Sequence, residues 1–478
     1  MIAPWPLDNS YARLPDRFYA RLAPTAVATP RLVKLNLALA RQLGLDPEAL
    51  ASPQGVAMLA GNRLPEGSEP IAMAYAGHQF GNFVPQLGDG RALLLGEVVD
   101  VAGVRRDIQL KGSGPTPFSR RGDGRAALGP VLREYIISEA MHALGVPTTR
   151  SLAAVTTGEP VYRETALPGA VLTRVAASHI RVGTFQFFAA RSDVEGVRLL
   201  ADHVIARHYP DASGYRDLYE KVIARQAALV AQWLCIGFIH GVMNTDNVSI
   251  AGETIDYGPC AFLDTYHPET VFSSIDRTGR YAYGRQPQIG GWNMARLGET
   301  LMPLFSDDKD EALKQANDSL ATWNDRFGQA LIAGLRRKLG LFTEQDGDGE
   351  LAQAFFNLLA DHGIDFTLAF RQLGEGTARR LFEEPAAFDA WQARWRERTA
   401  QEPQGETTRR EAMRTANPLY IPRNHRVEAA LAAATEHDDY GPFEELLTVL
   451  AKPFEERTEL AAYAEPPTEQ EQRNFRTY

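Results

Sequence analysis

The chain has 478 residues, of which 44% are hydrophobic and 23% are charged, and its formal net charge is −10. This composition predicts a globular protein of two to four structural units, and two cysteines form neither a disulfide framework nor a cysteine-type metal site. The acidic balance argues against nucleic-acid binding, and the lack of a long apolar run or signal-like N-terminus predicts a cytoplasmic protein without a membrane span.

The first part of the chain predicts a β-rich region that carries one helix. Residues 1–80 mix short helical patterns with proline-rich turns, and the run from Leu32 to Leu43 indicates an amphipathic helix that ends at Gly44. Apolar residues from Leu128 to Leu144 recur at helical spacing and predict a second helix. Strands are predicted at 91–101, 104–110, 151–155, 160–163 and 170–175.

The second part predicts mostly helices. A long helix is predicted from Asp217 to Ile236, short strands and loops over 237–268, and further helices from about 292 to 460. A charged connector is expected near 396–412, and the stretch 464–472 is expected to be flexible. We therefore predict an α+β, protein-kinase-like fold of two lobes. It comprises an N-terminal extension (1–80), a β-rich N-lobe (81–183), a helical C-lobe (184–300) and a C-terminal helical extension (301–478).

Two glycine-rich segments could approach a phosphate group. Gly88 and Gly90 come just before Arg91, where a strand is predicted, and a tight turn is the alternative interpretation. Lys111 ends the next predicted strand and is followed by a basic, glycine-rich run that contains Arg120 and Arg125. Clustered cations suit a polyphosphate, although a solvated basic loop would look the same.

The segment from His240 to Asn247, followed by Asp256, Tyr257 and Gly258, is the most specific pattern in the chain. His240 and Asn247 have the spacing of the first and last residues of the catalytic loop in protein kinases, and Asp256 begins a motif like the kinase metal-binding one. Val242 occupies the position of the kinase catalytic aspartate and cannot accept a proton, whereas Asp246 directly precedes Asn247. Asn247 and Asp256 offer the oxygen ligands that Mg²⁺ prefers. The alternative is a polar turn.

Three further charged residues complete the candidate site. Glu134 lies on the predicted helix after Lys111, where a kinase glutamate would pair with the strand lysine. Arg174 and Arg181 could face one pocket, and structural ion pairs are their alternative explanation.

Long strings in this sequence resemble the SelO family, also called YdiU. They include YAGHQFGNFVPQLGDGRA, QLKGSGPTPFSRRGDGRAALGPVLREYIISEAMHALGVPTTRSL, SHIRVGTFQ, HGVMNTDNVSIAGETIDYGPCAFLD and NPLYIPRNH, and the likeness runs over nearly the whole chain. The resemblance implies a pseudokinase-like enzyme that transfers AMP from ATP to protein hydroxyls and releases pyrophosphate. Some bacterial members use UTP with Mn²⁺ and transfer UMP instead. The resemblance also implies a nucleotide that is flipped relative to its orientation in a kinase.

The resemblance also implies a role for each matching residue. Asp246 is expected to accept the hydroxyl proton, and Asn247 and Asp256 to bind Mg²⁺ or Mn²⁺. Glu134 is expected to support the phosphate-binding lysine. The residues expected to bind the nucleotide are Gly88, Gly90, Arg91, Lys111, Asp123, Gly124, Arg174, Arg181 and Asp256. Many members carry a cysteine or selenocysteine near the C-terminus, which this chain lacks.

Two alternative functions remain at this point. An ordinary kinase would transfer the γ-phosphate, and Val242 argues against it. An inactive nucleotide-binding module would regulate a partner, and the retention of Lys111, Asp246, Asn247 and Asp256 argues against it. The protein substrates, the choice between ATP and UTP, the choice of metal and the oligomeric state stay open.

Overall fold

A computed structural model describes residues 5–474 of the chain, and their fold is α+β. The strands are β1 (Tyr19–Arg21), β2 (Arg31–Leu35), β3 (Ile71–Met73), β4 (Gly77–Gln79), β5 (Asn82–Val84), β6 (Ala92–Val99), β7 (Arg105–Lys111), β8 (Ala126–Ala127), β9 (Arg150–Tyr162), β10 (Ala166–Ala176), β11 (Phe238–Ile239) and β12 (Ala261–Phe262).

The helices lie mainly after the strands in the sequence. They are α1 (Leu37–Gln42), α2 (Pro47–Ala51), α3 (Pro53–Leu59), α4 (Leu128–Ala143), α5 (Val182–Ala189), α6 (Val194–His208), α7 (Tyr215–Cys235), α8 (Gln286–Phe305), α9 (Lys309–Ala321), α10 (Trp323–Leu339), α11 (Asp348–Asp361), α12 (Phe366–Glu375), α13 (Ala386–Thr399), α14 (Glu406–Ala416), α15 (Asn424–His437), α16 (Gly441–Leu450) and α17 (Glu469–Asn474). None of the helices between residues 5 and 474 is both long and apolar enough to cross a membrane.

One antiparallel sheet organises the first part of the chain. Its strand order is β1-β3-β6-β7-β10-β9-β2, and β8 pairs with β10. Side chains alternate between its two faces, as the pleat requires. On β10, Val171 and Val175 join a core with residues of α1–α3, whereas Ala170 and Leu172 join the larger core that includes α4. The sheet is therefore covered by α1–α3 on one face and by α4 on the other.

Helix α4 is held from both sides. It packs against β9 and β10 on one side and against α15 and α16 on the other. Its buried Arg133 pairs with Glu428 of α15 and donates hydrogen bonds to Asn424 Oδ1 at 3.1 Å and to the Cys260 carbonyl oxygen at 3.1 Å. The C-terminal helices thus contact the helix next to the candidate site.

The structure confirms most predicted elements and corrects one. The strands predicted at 91–101 and 104–110 are β6 and β7, and the helices predicted from Leu128 and from Asp217 are α4 and α7. The single helix predicted from Leu32 to Leu43 is wrong. Its first residues form β2, which pairs with the edge of β9, and α1 begins only after Asn36, whose Oδ1 accepts a hydrogen bond from Leu39 N at 3.0 Å. The edge of β9 offers unpaired backbone groups, and pairing with them outweighs the helical periodicity of the residues that form β2.

Smaller differences concern lengths. The runs predicted at 151–155 and 160–163 belong to one strand, β9, which continues through Gly158. The charged connector predicted near 396–412 shrinks to 400–405, between α13 and α14. The stretch expected to be flexible contains the start of α17.

Candidate functional site

The residues singled out by the sequence meet in one cleft between the sheet and the helices that follow it. The cleft has a volume of about 690 Å³, and strands β7 and β10, helix α4 and the start of α5 contribute to its walls. The predicted site residues that line it are Gly88, Gly90, Arg91, Lys111, Asp123, Gly124, Glu134, Arg174, Arg181, Asp246, Asn247 and Asp256. The structure therefore brings together all the residues predicted to act on a nucleotide.

Asp256 lies at the centre of three cations. Lys111 Nζ is 3.1 Å and Arg174 Nη1 is 2.5 Å from Asp256 Oδ1. Arg181 Nη1 is 3.1 Å from the other oxygen, Oδ2. Burial alone would raise the pKa of Asp256, but Arg181, Arg174 and Lys111 together hold that pKa well below its usual range. The carboxylate therefore stays ionised and keeps three cations close together.

Glu134 on α4 holds two of these cations from the opposite side. Its Oε2 accepts a hydrogen bond from Lys111 Nζ at 2.6 Å, and its Oε1 accepts one from Arg174 Nη1 at 3.1 Å. Arg174 also donates to Gln109 Oε1 from Nε at 3.2 Å and from Nη2 at 2.6 Å. Because Arg174 on β10 lies opposite Gln109 on β7, the register of the sheet fixes the position of this guanidinium group.

Arg181 connects the cation cluster to the loop that carries Asp246. It precedes α5, and its backbone N–H donates to Thr184 Oγ1 at 3.0 Å. Its Nη1 donates to the backbone oxygen of Asp246 at 3.0 Å, and its guanidinium lies over the Tyr75 ring, 4.6 Å from the centroid. The side chain is fully enclosed, so its direction is fixed by these contacts.

Asp246 lies in a short turn beside Asn247 and has the environment of a proton acceptor. Its Oδ2 accepts a hydrogen bond from Gln79 Nε2 at 3.2 Å, and its buried Oδ1 has no hydrogen-bond partner within residues 5–474. Burial raises the pKa of Asp246 to about 6, against the opposing effect of Arg181. A carboxylate with a free oxygen and a raised pKa can accept a proton from a nearby hydroxyl group.

Asn247 and Asp256 fit a divalent metal ion that also binds phosphate. Asn247 Nδ2 donates to the Val242 carbonyl oxygen at 3.0 Å, so its Oδ1 remains available as a ligand. Amide and carboxylate oxygens suit Mg²⁺ and Mn²⁺. No group of three or more His, Cys, Asp or Glu residues in the described part of the chain is arranged to hold a metal. The donor set therefore suits an ion that completes its coordination with phosphate and water.

The glycine segment before β6 is explained by close packing. A Cβ atom at Gly88, where φ is +77°, would lie 2.3 Å from Phe118 Cγ, and one at Gly90 would lie 2.8 Å from the Phe118 carbonyl oxygen. The buried Asp89 between them accepts hydrogen bonds from Met73 N and Gln109 Nε2 at 3.0 and 3.2 Å. Close packing against Phe118 thus accounts for both glycines, which also line the cleft.

Asp123 and Gly124 lie at the rim of the cleft. Asp123 forms a two-pronged ion pair with Arg163 of the turn between β9 and β10, at 2.8 and 3.1 Å. That hydrogen bonding to Arg163 lowers the pKa of Asp123 despite partial desolvation. Gly124 has φ +66°, and a Cβ atom there would lie 2.1 Å from Gly114. Gly124 is therefore tightly packed, whereas Arg120 and Arg121 of the basic run are exposed.

The sequence interpretation missed the hairpin formed by β4 and β5. Its backbone joins the Asp246 loop, because His78 N donates to Thr245 Oγ1 at 2.7 Å and Phe80 N donates to Asn244 Oδ1 at 3.0 Å. Phe80 and Gly81 both have positive φ, which is the geometry of a two-residue hairpin turn. A glycine between two short runs was the only indication in the sequence.

His240 and the two cysteines are the remaining residues that the sequence singled out. His240 Nε2 is 2.9 Å from the Ile255 carbonyl oxygen, and burial lowers the pKa of this imidazole. Cys235 and Cys260 are free thiols. His240 therefore connects the loop before Asn247 to the strand-like segment before Asp256.

Comparisons with known proteins agree over nearly the full chain. A family model described as "Protein adenylyltransferase SelO" matches residues 6–451. A protein named "Protein nucleotidyltransferase YdiU" from Rhodopseudomonas palustris (strain BisB18) is 65% identical, over 99% of this chain and 98% of its own length. Proteins of the same name from Bradyrhizobium sp. (strain ORS 278) and Bradyrhizobium diazoefficiens are 65% and 64% identical, and each match covers 98% of this chain and, respectively, 98% and 97% of the relative.

Proposed function

Because this chain belongs to the SelO family of protein adenylyltransferases and is a nucleotidyltransferase, we propose that it transfers AMP from ATP to Ser, Thr or Tyr hydroxyl groups of proteins. Pyrophosphate is the leaving group. The observation that carries this proposal is the cluster of Lys111, Arg174 and Arg181 around Asp256, with Asp246 beside it and Val242 at the kinase base position.

A protein-kinase-like architecture is part of the proposal. Two contacts support it: the ion pair of 2.6 Å between strand residue Lys111 and helix residue Glu134, and the position of Asp256 within 3.1 Å of the same lysine. In this interpretation 81–183 form the N-lobe and 184–300 the C-lobe. Residues 1–80 and 301–478 form the extensions.

Each charged residue has a separate task in the proposed reaction. Lys111, Arg174 and Arg181 bind the phosphates and stabilise the charge that develops on them, which is the main catalytic effect expected for this type of transfer. Asp246 accepts the proton of the incoming hydroxyl group, and Gln79 holds its carboxylate in place. Asn247 and Asp256 would hold Mg²⁺ or Mn²⁺, which neutralises phosphate charge when bound.

The rim residues are proposed to complete the nucleotide site. Gly88, Gly90 and Arg91 would bind it on one side of the cleft, and Asp123 and Gly124 on the other. UTP is a second candidate donor, because the residues assigned to the phosphates do not discriminate between nucleobases. Both rival functions, γ-phosphoryl transfer and nucleotide binding without catalysis, can be separated from AMP transfer by experiment.

Labelled ATP tests the reaction. We expect protein to acquire label from α-labelled ATP, with a mass gain that matches AMP in the intact protein or an acceptor. Label from the γ position alone would establish a kinase instead. No transfer with any nucleotide or metal, together with measurable nucleotide binding, would establish the inactive module.

Asp256→Ala tests the site assignment. We expect a loss of transfer of at least about 10²-fold, because the variant loses a metal ligand, removes the carboxylate partner of Arg181 and leaves Lys111 and Arg174 with Glu134 alone. Asp389→Ala is the matched control, since Asp389 pairs with the exposed Arg379, outside the cleft. Undiminished transfer by Asp256→Ala would contradict the assignment of the cleft.

A further inference from the structure

A second cavity lies among the C-terminal helices and shares no lining residue with the cleft. It has a volume of about 400 Å³, which is within the range of small-molecule sites. Its walls come from α7, α10, α14 and the loop that follows α4. The apolar lining includes Val146, Ile236, Leu341 and Phe454.

Lys338 on α10 lines this cavity and is a buried cation without an anion. Lys338 is only 3% exposed. Within residues 5–474, its ammonium group has neither a carboxylate in ion-pair range nor a hydrogen-bond acceptor. Phe370 and Phe366 lie under the ammonium, with ring centroids at 4.2 and 5.4 Å. Such rings offset only part of the cost of removing a charge from water, so the site lacks a counter-ion.

The neighbouring groups do not supply the missing negative charge. Cys235 on α7 is one of two other titratable side chains in the lining, and burial raises the pKa of its thiol to about 11, so the thiol is neutral near pH 7. Arg337, the second one, is a cation at the mouth of the cavity. Gln232 also lines the cavity, and its buried Oε1 has no donor among the described residues.

We infer that this cavity binds a small organic acid with an apolar tail, whose carboxylate pairs with the Lys338 ammonium group. The aliphatic walls take the tail, and Arg337 adds attraction at the entrance. The inference is independent of the function proposed for the cleft, because no residue is shared.

Calorimetric titration of the full-length protein with octanoate and with octanol tests the inference. We expect one saturable site for octanoate. Lys338→Met should weaken octanoate binding at least about tenfold and leave octanol binding unchanged, since only the carboxylate loses its partner. Lys309→Met, at an exposed position, is the matched control. Failure of the parent protein to bind octanoate, or equal binding by Lys338→Met, would overturn the inference.

The pH dependence of the parent protein gives a second test that needs no variant. Burial lowers the pKa of Lys338 to about 8. Since the carboxylate needs the charged ammonium, octanoate affinity should fall as the pH rises above about 8, and octanol affinity should not. An octanoate affinity that stays constant through this range would refute the pairing with Lys338.

Discussion

A single glycine sets the position of the Asp246 carboxylate. A Cβ atom at Gly77 would lie 2.5 Å from Asp246 Oδ1, and Gly77 does not have a positive φ. An alanine is therefore acceptable to the backbone at this position but not to the neighbouring carboxylate. This contact separates an effect on the proposed proton acceptor from an effect on folding.

Gly77→Ala is expected to lower the transfer rate about 10²-fold, because a displacement of roughly 1 Å at a reacting group has that effect. The midpoint of urea unfolding should change little. Gly405→Ala is the control, since Gly405 has a negative φ and open space around it. Full activity in Gly77→Ala would contradict the assignment of Asp246 as the proton acceptor.

At the level of residues, the sequence predicted the charged groups but not what holds them. Lys111, Glu134 and Asp256 follow from residue type and spacing. Gln79 and Gly77 could not be identified, because an amide and a glycine acquire importance only through a contact with Asp246, far away in sequence. The need for glycine at position 88 could not be predicted either, because it arises from the packing of Phe118 against this position.

At the level of elements, local patterns succeeded where packing agreed with them. Helix α4 is buried against the sheet along its apolar side, as its periodicity predicts. The run from Leu32 to Leu43 has similar periodicity, yet its first part pairs with β9. The difference lies in the tertiary partner, which one sequence does not reveal.

The start of α15 is anchored by a buried ion-pair cluster. Arg423 Nη1 is 2.5 Å from Asp264 Oδ1 and 2.9 Å from Asp365 Oδ2, and Nε donates to the Ala464 carbonyl oxygen at 3.0 Å. The arginine is fully buried. It therefore joins the segment after Asp256 to α12 and to the C-terminal helices.

Arg423→Met is expected to lower the free energy of unfolding by about 3–5 kcal/mol, because two largely buried carboxylates lose their cation. Urea denaturation followed by circular dichroism measures the loss. Arg379→Met, which removes the exposed pair with Asp389, should cost far less, because solvent screens exposed charges. Equal effects of the two substitutions would mean that the buried cluster contributes no more than a surface pair.

At the level of the whole molecule, buried ionisable groups make stability depend on pH. Burial lowers the pKa of His203 to about 4, and its Nε2 has no hydrogen-bond partner within residues 5–474. In the unfolded chain a histidine has a pKa of about 6.5. The unfolded state therefore binds more protons between these values, and His203 reduces stability as the pH falls from about 6.5 to about 4.

His203→Leu should remove this contribution. Relative to the parent protein, the variant should gain about 1.4 kcal/mol of unfolding free energy for each pH unit below 6.5, until about pH 4. Burial raises the pKa values of acids such as Asp89 and Asp264 to about 6. Their contribution to the unfolding free energy is the same in the variant and the parent protein, so it cancels in the difference between the two. Urea unfolding at several pH values provides the measurement, with the exposed His437→Leu as control. A difference that does not vary with pH would contradict the neutral state of His203 in the folded protein.

The contacts of α15 and α16 with α4 also bear on how the protein is made. Translation delivers the sheet and the Asp256 loop well before residues 424–450 leave the ribosome. Until then Arg133 lacks its ion-pair partner Glu428, and the helix that carries Glu134 is exposed along one side. We therefore expect α4, and with it Glu134, to reach its final position only after residues 424–450 have been synthesised.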